Sequence, residues 1–407
     1  MSAAPRKPRL AVVSPFLTKS GGTERPVTEG IARLTSAFEI HVYSQSIEDV
    51  DLSQIRWHRI PKLAGPHLLN FSWWYVANHV WRAWDRVFRG LHSDLTYSSG
   101  ANCLNADVIS VPIVFAEYVP RVKSRLRFLR NPLVEWPRLM HRRIYYRLAL
   151  IAERLAYKNP RTKLFGISRR VGKLLAKEYG RREDIPVLYT GIDHEVFNPQ
   201  RRLELREAAR RDIGIPADHF VLLVIGNDWR NKGVPALVGV ISALKDLPIE
   251  LLVVSGEAVA IQDELLKKLP ANNMIRVLPP RRDVEFYYAA ADAYVGPSLE
   301  DAFALPVAEA MACGLPVVTS AQAGAAEIIR HGIDGLVLDD PRDSDALATM
   351  VRQIVEDREF RENLASYAAS TAKQYTWERA GRELAAILDE ALRRKSSVAA
   401  QTMVRER

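Results

Sequence analysis

Short apolar runs alternate with helical stretches along the whole chain, and this alternation constrains the fold more than any other feature. The runs Val221–Ile225 and Glu250–Ser255 are almost continuously apolar. Such runs are typical of strands that helices cover on both faces, as in parallel sheets. With 407 residues, the chain is too long for one ordinary core. The pattern therefore predicts an α/β protein with two doubly wound parallel sheets and ligands at the carboxyl ends of the strands.

The predicted domain boundary lies near Pro199, where GIDHEVFNP gives way to a polar, arginine-rich helix. Residues 1–198 would form the N-terminal domain and residues 199–376 the C-terminal domain. A terminal helix is expected over residues 377–395, followed by a frayed tail over residues 396–407.

The charge is distributed unevenly between the two halves. Residues 1–200 contain 31 Lys and Arg against 17 Asp and Glu, whereas residues 201–407 contain 26 against 31. A basic first half suggests an anionic partner, for which nucleic acid, phospholipid and a phosphorylated substrate all qualify. No recognisable nucleic-acid module accompanies the charge, so we expect no nucleic-acid partner.

The cysteine count and the hydropathy bound the cellular location. Two cysteines, Cys103 and Cys313, are too few for a disulfide scaffold, which favours a reducing cytoplasm. No apolar run approaches the roughly 20 residues needed to span a bilayer. The expected location is the cytoplasm, including the inner face of the cell membrane.

Residues 121–170 combine many arginines with Phe, Trp, Tyr and Leu at helical spacings, and residues 71–84 hold four tryptophans. An interfacial helix needs this composition, because apolar groups enter the headgroup boundary while cations meet anionic lipid. Core helices with solvated basic faces have the same composition. Both interpretations remain open from the residues alone.

The segment from Ser298 to Val318 carries the strongest functional signal. A strand ends in a loop that holds Asp301, and Pro306 marks the first turn of a helix in which Glu309 also falls. The N–H groups and dipole of a helix N-terminus favour a phosphate, while carboxylates accept hydrogen bonds from sugar hydroxyls. The alternative is that these two acids have no role in binding and are only a helix cap and a surface charge.

Two further loops contain residues suited to phosphate binding. In VIGNDWRNKGVPAL, Lys232 stands between a strand and a helix, where a cation can reach a phosphate. Gly21 and Gly22 follow the first strand and would let the backbone approach a phosphate closely. Their spacing is not GxGxxG, so a nicotinamide enzyme is not supported.

Together these segments resemble the donor site of glycosyltransferase family 4, the group 1 glycosyltransferases with the GT-B fold. In that family seven residues separate two acids, and they include a glycine-phenylalanine-glycine-leucine stretch. Here Asp301 stands where the family usually has Glu, and Ala302 and Ala304 stand at the usual glycines. YTGIDHEVFNP is similar to the interdomain stretch of the family, and QYTWERAG to the start of its terminal helix, which crosses back to the first domain.

The resemblance implies two Rossmann-like domains that face a cleft, and a retaining, metal-independent hexosyltransferase. Glu309 would bind the ribose of a nucleoside-diphosphate sugar, while Arg230 and Lys232 would neutralise its diphosphate. Asp301 would bind the hexose with Phe303, Ala304 and Leu305, and Gly21 and Gly22 would complete the donor site. The expected catalytic residues are Asp301, Lys232 and Arg230. No cofactor and no metal are implied beyond the sugar nucleotide as co-substrate.

The acceptor is expected to be anionic, because the first domain is basic. A lipid-linked or polysaccharide intermediate of the bacterial cell envelope, such as one of lipopolysaccharide, fits this charge, with peripheral membrane contact through the N-terminal domain. The family commonly has a histidine after a strand of the first domain, and Pro112 stands at that place here. This departure leaves two alternatives open, which are a non-catalytic sugar-nucleotide-binding subunit and an epimerase on the same fold.

Overall fold

The computed structural model describes residues 6–19, 22–123, 133–264 and 274–405, in two compact units. The first unit comprises Met1–Tyr189 and Glu378–Arg407, and the second comprises Thr190–Trp377. The predicted boundary at residues 198 and 199 falls inside the second unit. The chain joins that unit earlier because Ile192 forms a β-bridge with Thr376 and because Gly191 packs against Trp377, where a Cβ would lie 2.6 Å from the Trp377 Cα.

The first unit is built on a six-stranded parallel sheet with helices in the crossovers. Its strands, with the small parallel pair of β2 and β4, are β1 (Arg9–Val13), β2 (Phe16–Leu17), β3 (Glu39–Ser44), β4 (Ser46–Ile47), β5 (Arg56–Arg59), β6 (Leu95–Ser99), β7 (Val108–Val111) and β8 (Lys163–Gly166). Its helices are α1 (Arg25–Leu34), α2 (His67–Phe88), α3 (Phe115–Val122), α4 (Trp136–Tyr157) and α5 (Arg169–Tyr179).

The second unit is also built on a six-stranded parallel sheet. Its helices are α6 (Pro199–Ile213), α7 (Val234–Ala243), α8 (Ala258–Glu264), α9 (Glu285–Ala290), α10 (Leu305–Ala312), α11 (Ser344–Glu356) and α12 (Arg358–Ala372). Its strands are β9 (Phe220–Ile225), β10 (Ile249–Val254), β11 (Ile275–Leu278), β12 (Ala293–Gly296), β13 (Val317–Ser320) and β14 (Leu336–Leu338).

The two sheets share one strand order. The first runs β5-β3-β1-β6-β7-β8 and the second β11-β10-β9-β12-β13-β14. When the six strands of each sheet are numbered in chain order, both sheets read 3-2-1-4-5-6. The strands are thus added towards one edge up to the third strand and towards the other edge from the fourth, which makes a switch point between the first and fourth strands. Crevices at such switch points are where doubly wound sheets bind ligands. The predicted fold class, α/β with two doubly wound parallel sheets, is confirmed.

Burial in the second sheet explains why its strands lack an alternating pattern. Leu222, Leu223, Val224, Leu251 and Val253 are all buried, although neighbouring side chains of a strand point to opposite faces. Helices therefore cover both faces of the sheet. A continuous apolar run is the sequence signature of this arrangement.

Asp292 fixes the two strands that flank the second switch point. Its carboxylate accepts a hydrogen bond from the Val221 N–H at 2.8 Å, at the start of β9, and it lies directly before β12. Arg206 and Arg210 of α6 form ion pairs with the same carboxylate. A largely buried carboxylate is stable only when charge and hydrogen bonds compensate it, and here they also connect the starts of β9 and β12.

The C-terminal residues differ from the expected frayed tail. The last helix, α13 (Trp377–Arg405), continues well beyond residue 395. Ser396 and Ser397 do not end it, because their hydroxyls donate to the carbonyls of Leu392 and Arg394, at 3.0 Å and 2.8 Å. Serine that bonds back to the preceding turn is compatible with a helix. Within the described ranges, no helix is both long and apolar enough to cross a lipid bilayer.

Candidate functional site

Two loops meet at the switch point of the second sheet. One follows β9 and the other follows β12, and these strands are neighbours, with Ala293 paired to Leu222. The Asn231 side-chain amide donates to the Glu300 carbonyl at 2.7 Å, and the Leu299 N–H donates to the Asn231 carbonyl at 2.7 Å. The loops are therefore held together through Asn231, a residue to which the sequence had assigned no role.

Lys232 and Asp301, one from each loop, form an ion pair between Nζ and Oδ2. Both side chains are less than one-fifth exposed. The structure thus brings together the two residues that were predicted to bind the diphosphate and the hexose. A largely buried pair of this kind places a cation and an acceptor of hydroxyl hydrogen bonds side by side.

Two glycines allow the loop after β9 to fold tightly. Gly226 has φ +149° and Gly233 has φ +81°, and both angles are favourable only for glycine. A Cβ on Gly233 would lie 2.4 Å from the Pro297 carbonyl oxygen, and one on Gly226 would lie 2.5 Å from the Lys232 Cε. The Lys-Gly pair in the sequence therefore has a steric reason, since only glycine lets Lys232 approach the second loop.

Asp301 also shapes its own loop. Its Oδ1 accepts hydrogen bonds from the N–H groups of Phe303 and Ala304, at 3.2 Å and 2.8 Å. Ala304 adopts a left-handed conformation, with φ 67° and ψ 63°, directly before α10. Such a conformation costs a residue with a Cβ about 1–2 kcal/mol, which explains why glycine is usual here in the family that the segment resembles.

Glu309 lies deeper than the sequence indicated. Because α10 begins at Leu305, Glu309 is the fifth helical residue and belongs to the second turn, so its expected place in the first turn is wrong. The carboxylate is buried, and the Tyr288 hydroxyl donates to its Oε2 at 2.7 Å. Burial and the adjacent Glu309 carboxylate raise the pKa of Tyr288 well above its usual value, so the phenol remains a hydrogen-bond donor.

Tyr288 was missed because nothing in the local sequence links it to Glu309. It lies on α9, 21 residues before its partner, and its YYAA context is typical of a buried helix. Only the packing of α9 beside α10 reveals its position.

Arg230 occupies the same loop as Lys232 but is directed elsewhere. Its guanidinium forms an ion pair with Glu264 of α8 and lies 4.1 Å from the centre of the Trp229 ring. Stacking on a buried indole together with an ion pair gives the side chain a defined position. Of the three predicted catalytic residues, the structure pairs Asp301 with Lys232, and it gives Arg230 a different partner.

The remaining residues that were predicted to bind the donor differ in burial and in the unit to which they belong. Phe303 and Ala304 are buried and Leu305 is half-buried. Gly21 lies outside the described residues. Gly22 belongs to the first unit, and a Cβ added to it would meet nothing within 4 Å in the part of the chain that the structure describes. Close backbone approach is therefore evident in the loop after β9 rather than at Gly22.

In the first unit, a buried carboxylate lies near the place where the family commonly has a histidine. Pro112 follows β7 and precedes α3, whose first N–H groups, at Phe115 and Ala116, donate to Glu153 at 2.7 Å and 3.2 Å. Burial raises the pKa of the Glu153 carboxyl to about 7. Glu153 thus anchors α3, a role that the sequence did not suggest because it lies on α4.

Within the described ranges, no group of three or more His, Cys, Asp or Glu side chains is arranged to hold a metal ion. Lys232 is the cation at the switch point, whereas Arg230 of the same loop is paired with Glu264 of α8.

Sequence comparison with known proteins gives matches to glycosyltransferases. The family model described as glycosyl transferases group 1 matches residues 206–371. A D-inositol 3-phosphate glycosyltransferase of Corynebacterium urealyticum is 32% identical over 212 residues, which cover 49% of this chain and 50% of that protein. The chain thus aligns with about half the length of the curated relatives it matches.

Solved structures match over almost the whole chain. WaaG, a glycosyltransferase involved in lipopolysaccharide biosynthesis, has a TM-score of 0.73 at 22% identity, with 93% of this chain and 99% of that chain covered. HepE of Anabaena in complex with UDP-glucose has a TM-score of 0.69 at 19% identity, with 94% and 99% covered. At these identities the likeness concerns the fold, and it agrees with the two doubly wound sheets described above.

Proposed function

We propose that this chain transfers a hexose from a nucleoside-diphosphate sugar to an anionic acceptor. The proposal builds on the resemblance to the group 1 glycosyltransferases, which the family model confirms for residues 206–371. The observation that carries the proposal is the ion pair of Lys232 and Asp301 at the switch point of the second sheet. This pair supplies a cation for a diphosphate and a carboxylate for sugar hydroxyls at the edge where doubly wound sheets bind nucleotides.

Lys232 would act on the leaving group. As the bond between the anomeric carbon and the diphosphate oxygen breaks, negative charge develops on that oxygen, and an ammonium group beside it stabilises the transition state. In the structure, the Asp301 carboxylate compensates the charge of Lys232. Donor binding would give Lys232 a second anionic partner and leave Asp301 to accept hydrogen bonds from hexose hydroxyls.

Retention of anomeric configuration and independence of metal are further parts of the proposal. The acceptor oxygen would form its bond to the anomeric carbon on the face that the leaving group vacates, and its proton would pass to the departing phosphate oxygen. The cations of the loop after β9, Arg230 and Lys232, would take the electrostatic role that a metal ion has in other transferases.

Glu309 would recognise the nucleotide. Its Oε2 accepts a hydrogen bond from the Tyr288 hydroxyl, which fixes the orientation of this carboxylate in the second turn of α10. A carboxylate accepts more than one hydrogen bond at each oxygen, so a ribose with two hydroxyls is a suitable partner. Complexes of HepE with UDP-glucose support a sugar nucleotide as the donor class for this fold.

The acceptor proposal rests on charge and on the relatives. The first 200 residues carry a strong excess of cations. The curated relatives are named for an acceptor that bears a phosphate, and WaaG is described as acting in lipopolysaccharide biosynthesis. We therefore include in the proposal an anionic, lipid-linked or polysaccharide acceptor of the cell envelope, handled on the cytoplasmic side of the membrane.

The test is donor binding and turnover with two variants. UDP-, GDP- and ADP-sugars are screened by thermal shift, since a ligand that binds the folded state raises its stability, and released nucleoside diphosphate is then measured. Glu309→Ala should weaken the binding of intact donor and of free nucleoside diphosphate alike. Asp301→Ala should weaken the donor by about tenfold while sparing the free nucleotide, because the carboxylate for the hexose hydroxyls is lost while Lys232 remains for the diphosphate.

Equal losses for both ligands in both variants would contradict this division of roles. Tight donor binding without turnover across phosphorylated acceptors would instead support a non-catalytic sugar-nucleotide-binding subunit. Three observations favour this second function. Pro112 stands where the family commonly has a histidine, the buried Glu153 anchors α3 nearby, and the Asp301 carboxylate already accepts hydrogen bonds within its own loop.

A further inference from the structure

The outer face of α4 presents apolar side chains to solvent. Trp136, Met140, Ile144, Ile151 and Leu155 are each between 38% and 56% exposed. Successive members are four, four, seven and four residues apart, so they form one row along the helix. The row from Met140 to Leu155 spans about 22 Å at 1.5 Å per residue.

A row of cations runs beside this apolar row. Arg143, Arg147, Arg154 and Lys158 are exposed, and each lies three residues after one of the four apolar residues from Met140 to Leu155. Residues three apart on a helix are neighbours on its surface. The two rows are therefore in register, with one cation next to each apolar side chain.

The inner face of α4 holds the helix in place. Leu139, Ala149, Ala152 and Ala156 are buried, and the Tyr145 ring lies 4.9 Å from Phe71 of α2. The sole acid within α4 is Glu153, which is buried and bonded to the start of α3. The outer face is thus a preformed surface with apolar and positive groups and no exposed carboxylate of its own helix.

We propose that this face, defined as the apolar row with its cation row, docks on the surface of a lipid bilayer that carries anionic headgroups. The helix would lie in the plane of the interface, with the apolar row in the acyl boundary and the cations at the level of the phosphates. This proposal stands on the surface of the first unit alone and does not depend on the donor site.

The charge pattern favours a bilayer over a second copy of this chain. Two such faces packed together would oppose cations to cations with no carboxylate to compensate them, which is unfavourable in a desolvated interface. A bilayer surface has no fixed shape to match, supplies phosphates along the whole row, and lets long cationic side chains reach outward from the buried apolar groups.

The experiment uses the full chain and vesicles. Co-sedimentation is measured with vesicles of phosphatidylcholine alone and with vesicles that also contain phosphatidylglycerol, at low and physiological salt. Binding should require phosphatidylglycerol and weaken with salt, because surface charges are screened within about 10 Å at 0.1 M. The emission of Trp136 should shift to shorter wavelength on binding, and Trp136→Phe should remove that part of the shift.

Two variants test the two rows separately. Arg147→Gln with Arg154→Gln and Lys158→Gln should weaken binding by about a hundredfold, since each cation near an anionic surface contributes roughly one factor of five. Ile144→Ser with Ile151→Ser should also weaken binding while leaving the protein folded, because both side chains are exposed in the first unit. The matched control is Arg211→Gln with Arg358→Gln and Lys373→Gln, which removes three exposed cations of the second unit.

The outcomes separate this proposal from the proposed function. Loss of vesicle binding in both row variants but not in the control supports the docking face, and donor thermal shifts should be unchanged in all three. Absence of binding, equal binding to both kinds of vesicle, or equal losses in the control would overturn it. So would a concentration-dependent dimer that Ile144→Ser abolishes, or tight binding of nucleic acid through the same cations. Failure of donor binding or turnover would leave the docking face untouched.

Discussion

The two units have sheets of the same strand order, yet they use the loop after their first strand differently. In the second unit this loop carries Lys232, which is largely buried and pairs with Asp301 from the loop after the fourth strand. In the first unit the corresponding loop carries Lys19, which is nearly half exposed and pairs with Glu29 of α1 at 3.2 Å. One topology therefore supports a pair across the switch point in one unit and, in the other, a pair between a half-exposed lysine and a buried glutamate of the following helix.

The difference shows that strand order provides the position of a crevice but not its chemistry. The crevice of the second unit depends on two glycines with positive φ and on the linking Asn231. The first unit instead carries its distinctive charge on an outer helix, α4. The whole-chain cation excess accordingly concerns the first unit, while the second holds the candidate donor site.

The largest expected effect is on turnover when the buried lysine is removed. Lys232→Ala should lower the rate of nucleoside diphosphate release from a donor by about a hundredfold to a thousandfold, because a preorganised charge at the leaving group is lost. Lys19→Ala is the comparison, and it should change the rate by less than about fivefold, because the Lys19 side chain is nearly half exposed and Glu29 keeps a second cationic partner in Arg33. Similar losses in both variants would break the contrast between the two loops.

The next effect is on stability, at the glycines of the same two loops. Gly233→Ala should reduce the free energy of unfolding by about 3 kcal/mol, because alanine disfavours φ +81° and its Cβ would contact the Pro297 carbonyl. Gly22→Ala should change it by less than about 0.5 kcal/mol, since nothing described surrounds that position. Thermal unfolding followed by circular dichroism measures both. A large effect at Gly22 would show that the first loop is as tightly constrained as the second.

The smallest effect concerns pH. In the first unit His41 Nδ1 lies 2.9 Å from His58 Nε2, and His58 Nδ1 lies 2.6 Å from Asp85. Burial lowers the pKa of both imidazoles below their usual 6.5. Below pH 6.5 the unfolded chain therefore binds more protons than the folded chain, and stability falls as the pH decreases.

Comparison with the second unit sharpens this expectation. There, although burial opposes it, hydrogen bonds from Arg276 and His219 lower the pKa of the Glu250 carboxyl below its usual 4.5. The stability that Glu250 contributes is present above pH 4.5 and is lost only below it. Between pH 7 and pH 5, protonation therefore changes the contribution of His58 to stability but not that of Glu250. The stability advantage of the wild type over His58→Gln, measured by denaturant titration, should shrink over this range. An advantage that is constant over this range would contradict the assignment.

Much of the site followed from local sequence, and the rest depended on distant partners. Asp301, Glu309 and Lys232 were identified because each stands next to a strand end or a helix start, and these signals are local. Tyr288 and Glu153 were missed because their partners lie on other elements. Glu309 was assigned to the first turn because the helix was expected to start at Pro306, whereas α10 begins at Leu305.

The sequence by itself determined the fold class and the location of the candidate donor loops, because short continuous apolar runs between helical stretches are typical of strands covered on both faces. It left the nature of residues 121–170 undecided, since α4 has apolar residues on both of its faces. Only the tertiary structure selected the inner face, with Leu139 and Ala149 buried, and thereby left Ile144 and Leu155 outside. Likewise, only the folded sheet brought Lys232 to Asp301, 69 residues away, because strand order rather than sequence distance decides which loops are neighbours.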